Sequence, residues 1–301
     1  VLHVPVLLKE TIDLLDPATD GIYVDATLGL GGHTQEILER SKPGGRVIGF
    51  ERDAAALAEA RHHLVHYGDR ITFLHRNYAG IKEGLSENNI KQVDGLLLDL
   101  GLSSLQLDNS SRGFTFKGNG ALDMRMDSRD SVTAADLLNN EEENELADIF
   151  YYYGEERYAR KIAARIVEQR RKVRFETVDQ LAETVAQAIP KRFQPKKIHV
   201  ATKVFQALRI AVNDELGNLA KILNDAVDVL KPGGRFLVIS FHSLEDRMVK
   251  RKFREDPAFE VVTKKPVVPT EMERRLNPRA RSAKLRAAIR LDVRPSLEGQ
   301  K

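Results

Sequence analysis

Four short apolar runs punctuate the first hundred residues: 22–26 (IYVDA), 46–50 (RVIGF), 71–74 (ITFL) and 93–100 (VDGLLLDL). Each is near-continuous, the pattern of strands covered on both faces. Helical patterns separate them, such as 53–66 (DAAALAEARHHLVH). This alternation predicts right-handed βαβ units and an α/β fold with a doubly wound sheet. The pentapeptide KPGGR occurs at 42–46 and again at 231–235, each time after a helical pattern and before an apolar run. Proline stops the helix, and the glycines supply the cap and the turn. Ahead of the second copy, Leu216, Leu219, Leu223, Val227 and Leu230 share one helical face. The sheet thus leaves near residue 103 and resumes near 235. SAKLRAAIRLDV, at 282–293, reads as a last strand before a frayed tail.

The stretch between is helical in pattern. Asn140 with Glu143 resembles a capping box, followed by Leu146, Ile149, Phe150 and Tyr153 at helical spacing, with Gly154 as the stop. Thr177 with Gln180 opens another helix that closes before Pro190, and 156–171 and 199–212 are amphipathic. The expectation is a helical domain over 104–204, inserted into a discontinuous sheet domain of 1–103 and 205–301. Segment 108–132 has no clean period and is long for a connection, which favours a functional loop or lid.

Composition changes this picture little; charge changes it more. No run of 18 apolar residues exists, and charges break the opening VLHVPVLLKETIDLL too early for a signal peptide. No membrane association and a cytoplasmic location are expected. With no cysteine there is no disulfide framework, thiolate metal site or cysteine nucleophile. The net charge is only +3, but residues 136–156 hold eight acids and no Lys or Arg. Three segments are basic: 157–174 with eight bases, 189–209 with six and 261–290 with nine. Solvated helix faces would explain any one of them; three together favour a nucleic-acid partner.

Candidate chemistry centres on residues 22–34, IYVDATLGLGGHT. A glycine turn opening a helix lets a ligand approach backbone N–H groups. The P-loop pattern is absent, and the dinucleotide fingerprint fails because Thr34 stands where its third glycine belongs. Asp25 ends the strand ahead of the turn, where it can accept from an ammonium. Glu51 ends the next strand, where an acid takes ribose hydroxyls. Acid, glycines and ribose acid suit S-adenosylmethionine better than NAD; a turn serving only strand–helix packing stays open. His33 lies in the first helical turn, as a cofactor contact or a capping histidine. His242 follows the fifth core strand, as a catalytic group or a buried structural one. Asp99 ends the fourth strand in Asp-Leu-Gly, where many amine methylases carry N-P-P-Y or S-P-P-Y. It can accept an N–H from the target amine or hold the cofactor. No metal is needed for such a transfer.

The chain resembles the ribosomal RNA small subunit methyltransferase H (MraW) family. Nine segments carry the likeness: HVPVLLKE at 3–10, DATLGLGGH at 25–33, LLLDLGLSSLQLD at 96–108, RGFTF at 112–116, LDMRMD at 122–127, YGEERYARKIA at 153–163, ATKVFQALRIAVNDEL at 201–216, ISFHSLEDR at 239–247 and NPRARSAKLRAA at 277–288. The resemblance implies a class I S-adenosylmethionine-dependent methyltransferase sheet with an inserted helical domain. It implies methylation of N4 of one cytidine in the decoding region of 16S rRNA, with the small ribosomal subunit as the expected setting of that RNA. Carried over by motif, the cofactor residues are Gly31, Gly32, His33, Glu51, Tyr78, Asp99 and Gln106. Many members have Asp at the place of Glu51, Phe at that of Tyr78 and Pro at that of Leu105. Asp99 and His242 are the catalytic candidates. Arg279, Arg281, Lys284, Arg286, Lys196 and Lys197 are candidates for the RNA backbone. Phe114 and Phe116 can stack on a base or pack within their loop. The oligomeric state stays open, a dimer included.

Overall fold

A computed structural model describes residues 5–116 and 119–292; the expected frayed tail and Lys117 lie outside them. Seven strands form one sheet: β1 (Ile22–Asp25), β2 (Arg46–Glu51), β3 (Ile71–His75), β4 (Val93–Asp99), β5 (Leu230–Ser240), β6 (Phe259–Val261) and β7 (Lys284–Arg290). Their order is β3-β2-β1-β4-β5-β7-β6. β1 to β5 pair in parallel, whereas β7 runs antiparallel to both β5 and β6. This is the doubly wound α/β sheet that the sequence predicts, with one antiparallel strand inserted before the edge. The near-continuous apolar runs have the expected cause. Leu96 and Leu98 of β4 point into one core with Val24, Phe50, Phe236 and Val238. Leu97 points into the other with Tyr23, Val47, Leu237 and Ile239. Helices on both faces complete these cores, so four successive residues of β4, Gly95 to Leu98, are all buried.

Chain order reverses between β1 and β4. The ends of adjacent strands open a crevice there, and Asp25 and Asp99 terminate the two flanking strands.

Contacts divide the chain into two units, Val1–Gly101 with Asn218–Lys301, and Leu102–Gly217. The second boundary lies beyond the expected 204, because Val204, Phe205, Ala207 and Leu208 of helix Thr202–Val212 pack into the helical core. That core also takes Leu146, Phe150, Ile162, Phe175, Leu181 and Val185. Thr177 and Gln180 form the expected capping box. Asn140 does not start a helix: it ends helix Ala134–Asn140, whose own box is Thr133 with Asp136. Leu230 begins β5 instead of ending the preceding helix.

The irregular stretch 108–132 is stitched into the helical unit. Leu122 and Met124 are fully buried, and Leu122 N–H donates to Glu176 O at 2.9 Å. Asn213, also buried, accepts from Met126 N–H at 2.7 Å and donates to Met124 O at 2.7 Å. Within this stretch Gly113, Phe114, Leu122, Met124, Met126 and Asp127 are buried, whereas 108–111 and 128–132 are exposed.

Candidate active site

The glycine turn is built from the strand ends inward. Gly31 caps helix Gly32–Arg40 at φ +84°, and a Cβ there would meet Leu64 Cδ1 at 2.6 Å. A Cβ on Gly32 would collide with Pro5. These two glycines hold the helix against its neighbours. Gly29 differs: at φ +53° its missing Cβ would face open space, with nothing nearer than Thr27 O at 3.8 Å. Of the three, Gly29 is the one that leaves room for a ligand.

Asp25 is 1% exposed. Its Oδ2 accepts from Thr34 Oγ1 at 2.7 Å and its Oδ1 from Thr27 N–H at 3.2 Å. Burial pushes its carboxyl up to about 6, against these two hydrogen bonds. Both oxygens thereby pin the turn.

Glu51 faces the turn from β2. Its Oε2 accepts from Gly29 N–H at 2.9 Å and its Oε1 from Asp53 N–H at 2.8 Å. Burial raises it to about 7 even so. Each carboxylate oxygen retains a further lone pair for a ligand hydroxyl.

Asp99 is tied at its backbone, where its N–H donates to Thr27 Oγ1 at 2.6 Å. Its Oδ1 is buried with no hydrogen-bond partner. Burial first, then the charges of Asp25 and Glu245, push this carboxyl well above the usual range. His33 Nδ1 lies 3.7 Å from Asp99 Oδ2, while His33 Nε2 sits 3.0 Å from Val6 O. A carbonyl only accepts, so Nε2 carries a proton, and Nδ1 is the ring nitrogen that faces Asp99.

Tyr78 opens the turn after β3 and is 8% exposed, in the same core as Phe50 and Ile81. His242 caps helix Ser243–Glu255 in a capping box with Glu245. Glu245 Oε2 accepts from Phe241 N–H at 2.9 Å, and Glu245 N–H points at His242 Nδ1 from 3.5 Å. His242 Nε2 is buried, 3.2 Å from Glu245 Oε1 yet outside hydrogen-bonding geometry. Gln106 belongs to the other unit, where its side chain closes a capping box with Ser103.

Three residues that sequence reasoning passed over shape this site. Thr27 and Thr34 link the two strand-end acids to the turn, and Glu245 adds charge beside Asp99. The run His-Ser-Leu-Glu at 242–245 carries the capping-box spacing that signals Glu245.

The basic candidates separate by burial. Arg279, Arg281, Lys196 and Lys197 are exposed. Arg286 is 7% exposed and donates to Asp246 at 2.7 Å, and Lys284 donates to the same carboxylate at 3.0 Å. Phe114 is buried, and Phe116 packs 4.4 Å from Phe205 and 4.6 Å from His199 between ring centroids. Neither ring stands free.

Three raised carboxyls at strand ends form an acidic cradle with too little counter-charge. A dinucleotide would bring a pyrophosphate and add repulsion. A ligand with a cationic centre and a ribose diol matches, and S-adenosylmethionine is both.

The description MraW methylase family matches residues 1–291. The chain belongs to that family. Among its relatives is a protein named Ribosomal RNA small subunit methyltransferase H from Desulfotalea psychrophila, 58% identical over 287 residues, covering 95% of this chain and 97% of that one. One of the same name from Cyanothece sp. is 51% identical, covering 99% and 97%. The family's cofactor, S-adenosylmethionine, fits the cradle described above. Among solved structures, a putative rRNA-methylase from Clostridium thermocellum aligns at 14% identity and a TM-score of 0.45, covering 96% of this chain and 100% of that one. Among the described residues no helix is long and apolar enough to cross a membrane.

Proposed function

We propose that this protein transfers a methyl group from S-adenosylmethionine to N4 of a cytidine in the decoding region of 16S rRNA, within the small ribosomal subunit in the cytoplasm. The observation that carries the reading is the near end-to-end likeness to relatives named for small-subunit rRNA methylation. When bound, S-adenosylmethionine supplies an electrophilic methyl on a sulfonium.

The chain's own residues do the placing. Glu51 accepts from the ribose hydroxyls, Gly29 leaves the space, and Tyr78 borders the adenine side. Gly31, Gly32 and His33 hold the turn, and Gln106 is included on its motif alone. Asp99 offers its unpartnered Oδ1. A cation beside it offsets Asp25 and Glu245, so Asp99 ionises and accepts an N–H from the amine. As positive charge passes to the amine, Asp99 regains proton affinity and takes the proton that the product must lose. His242, committed at Nδ1 to the helix cap, positions Glu245 beside this group. The target base must leave its stack to reach strand ends.

Labelled S-adenosylmethionine incubated with small subunits, followed by digestion to nucleosides, tests the reading. Label in N4-methylcytidine supports it. Label elsewhere, or none, contradicts it.

A further inference from the structure

Beside β6 and β7, in the sheet unit, lies a cavity of about 370 Å³ that the reaction does not use. Its lining is cationic: Lys250, Arg254, Lys264 and Arg286. Arg286 is fixed by Asp246. Lys250, Arg254 and Lys264 form no ion pair among the described residues, although neighbours on the same helix do, as Arg251 with Glu255 and Lys252 with Asp256. Burial would raise the Asp246 carboxyl, but hydrogen bonds from Arg286 and Lys284 outweigh it and hold it low. That acid is fully occupied by its two bases, and it leaves the other three cations uncompensated. The floor is different in kind. Phe253 and Val261 give it an apolar surface, and Thr263 stands at its edge. Thr263 Oγ1 accepts from Ala287 N–H at 2.9 Å, which leaves the hydroxyl proton to donate.

Three loose cations, a hydroxyl donor and an apolar floor match an anionic group attached to a flat ring. We infer that this cavity binds the phosphodiester backbone of single-stranded RNA, with a nucleoside lying over the floor. The inference rests on RNA being the substrate, as proposed above. Placement supports it: Lys250 and Arg254 lie on the helix that begins at His242, about 12 and 18 Å along its axis. A strand whose target base enters the crevice at the strand ends would pass this cavity a few nucleotides away. The cavity would then fix register, a task that phosphate contacts serve without reading sequence.

The test combines Lys250→Gln, Arg254→Gln and Lys264→Gln in the full chain. Binding of a single-stranded 16S rRNA fragment is measured against salt, with S-adenosylmethionine affinity as the check on folding. The triple variant should bind the fragment at least tenfold more weakly, raise KM for RNA in the methylation assay, and flatten the salt slope by about 1–2. Unchanged RNA affinity and slope, with intact cofactor affinity, would overturn the inference. So would an effect confined to binding of a free nucleoside monophosphate. If the wild type binds the fragment but transfers no methyl to it or to the subunit, the proposed function fails while the binding arm still decides the cavity.

Discussion

Glu51 Oε2 accepts from the Gly29 N–H at 2.9 Å, so the acid ending β2 clamps the turn that follows β1. One carboxylate thereby shapes the turn and, in the proposed cofactor site, faces the ligand. Glu51→Ala removes both functions. With charged hydrogen bonds contributing about 1.5–3 kcal/mol each, S-adenosylmethionine should bind roughly 10- to 100-fold more weakly. Titration calorimetry checks this; unchanged affinity would remove Glu51 from the cofactor site.

The same residue sets a pH dependence. Its folded value of about 7 lies above its ordinary 4.5. The ionised form is the better acceptor for a diol and the better neighbour for a cation. Affinity for S-adenosylmethionine should therefore rise from pH 5.5 to 8 and level off above. Stability without ligand runs the other way. An acid raised on folding costs stability as pH climbs from its unfolded to its folded value, so the melting temperature should fall between about 4.5 and 7. Thermal shift with and without cofactor measures both trends.

Gly29 and Gly31 should part company under mutation. Gly31→Ala meets Leu64 in a left-handed backbone and should destabilise by about 2–4 kcal/mol. Gly29→Ala carries only the backbone cost of about 1–2 kcal/mol, yet places a methyl where the ligand would lie. Its melting temperature should drop less and its cofactor affinity more. Equal profiles would contradict the distinction.

Asp246 holds Arg286 in place, and Arg286 is buried. Asp246→Ala leaves that guanidinium without its carboxylate and should destabilise by about 3 kcal/mol, read as a lower urea midpoint. A shift under 1 kcal/mol would mean that the pair is not holding β7 to helix Ser243–Glu255.

Much of this was legible in the sequence because it follows from period and punctuation. The continuous runs in β1, β2 and β4 mark strands buried on two faces, and the two KPGGR copies mark re-entry into the sheet. What escaped depends on partners far along the chain. The hydrogen bonds from Thr34 and Thr27 that tie Asp25 to the turn do not show in its place at a strand end. Arg286 reads as one more base in a basic segment until Asp246, forty residues away, is found against it. Phe114 and Phe116 sit among charges in the sequence and within a core in space. Asn140 and Glu143 carry cap spacing, but Thr133 with Asp136 already begins a helix that Asn140 ends. A capping pattern identifies a site of initiation only when the preceding residues are not already helical.

The central claim is that Asp99 Oδ1, buried and unpartnered, receives the amine proton. Single-turnover transfer by Asp99→Asn, at saturating S-adenosylmethionine with small subunits as acceptor, tests it most directly. The account predicts a rate roughly 10²- to 10⁴-fold lower with cofactor still bound. An unchanged rate under the same conditions would contradict it.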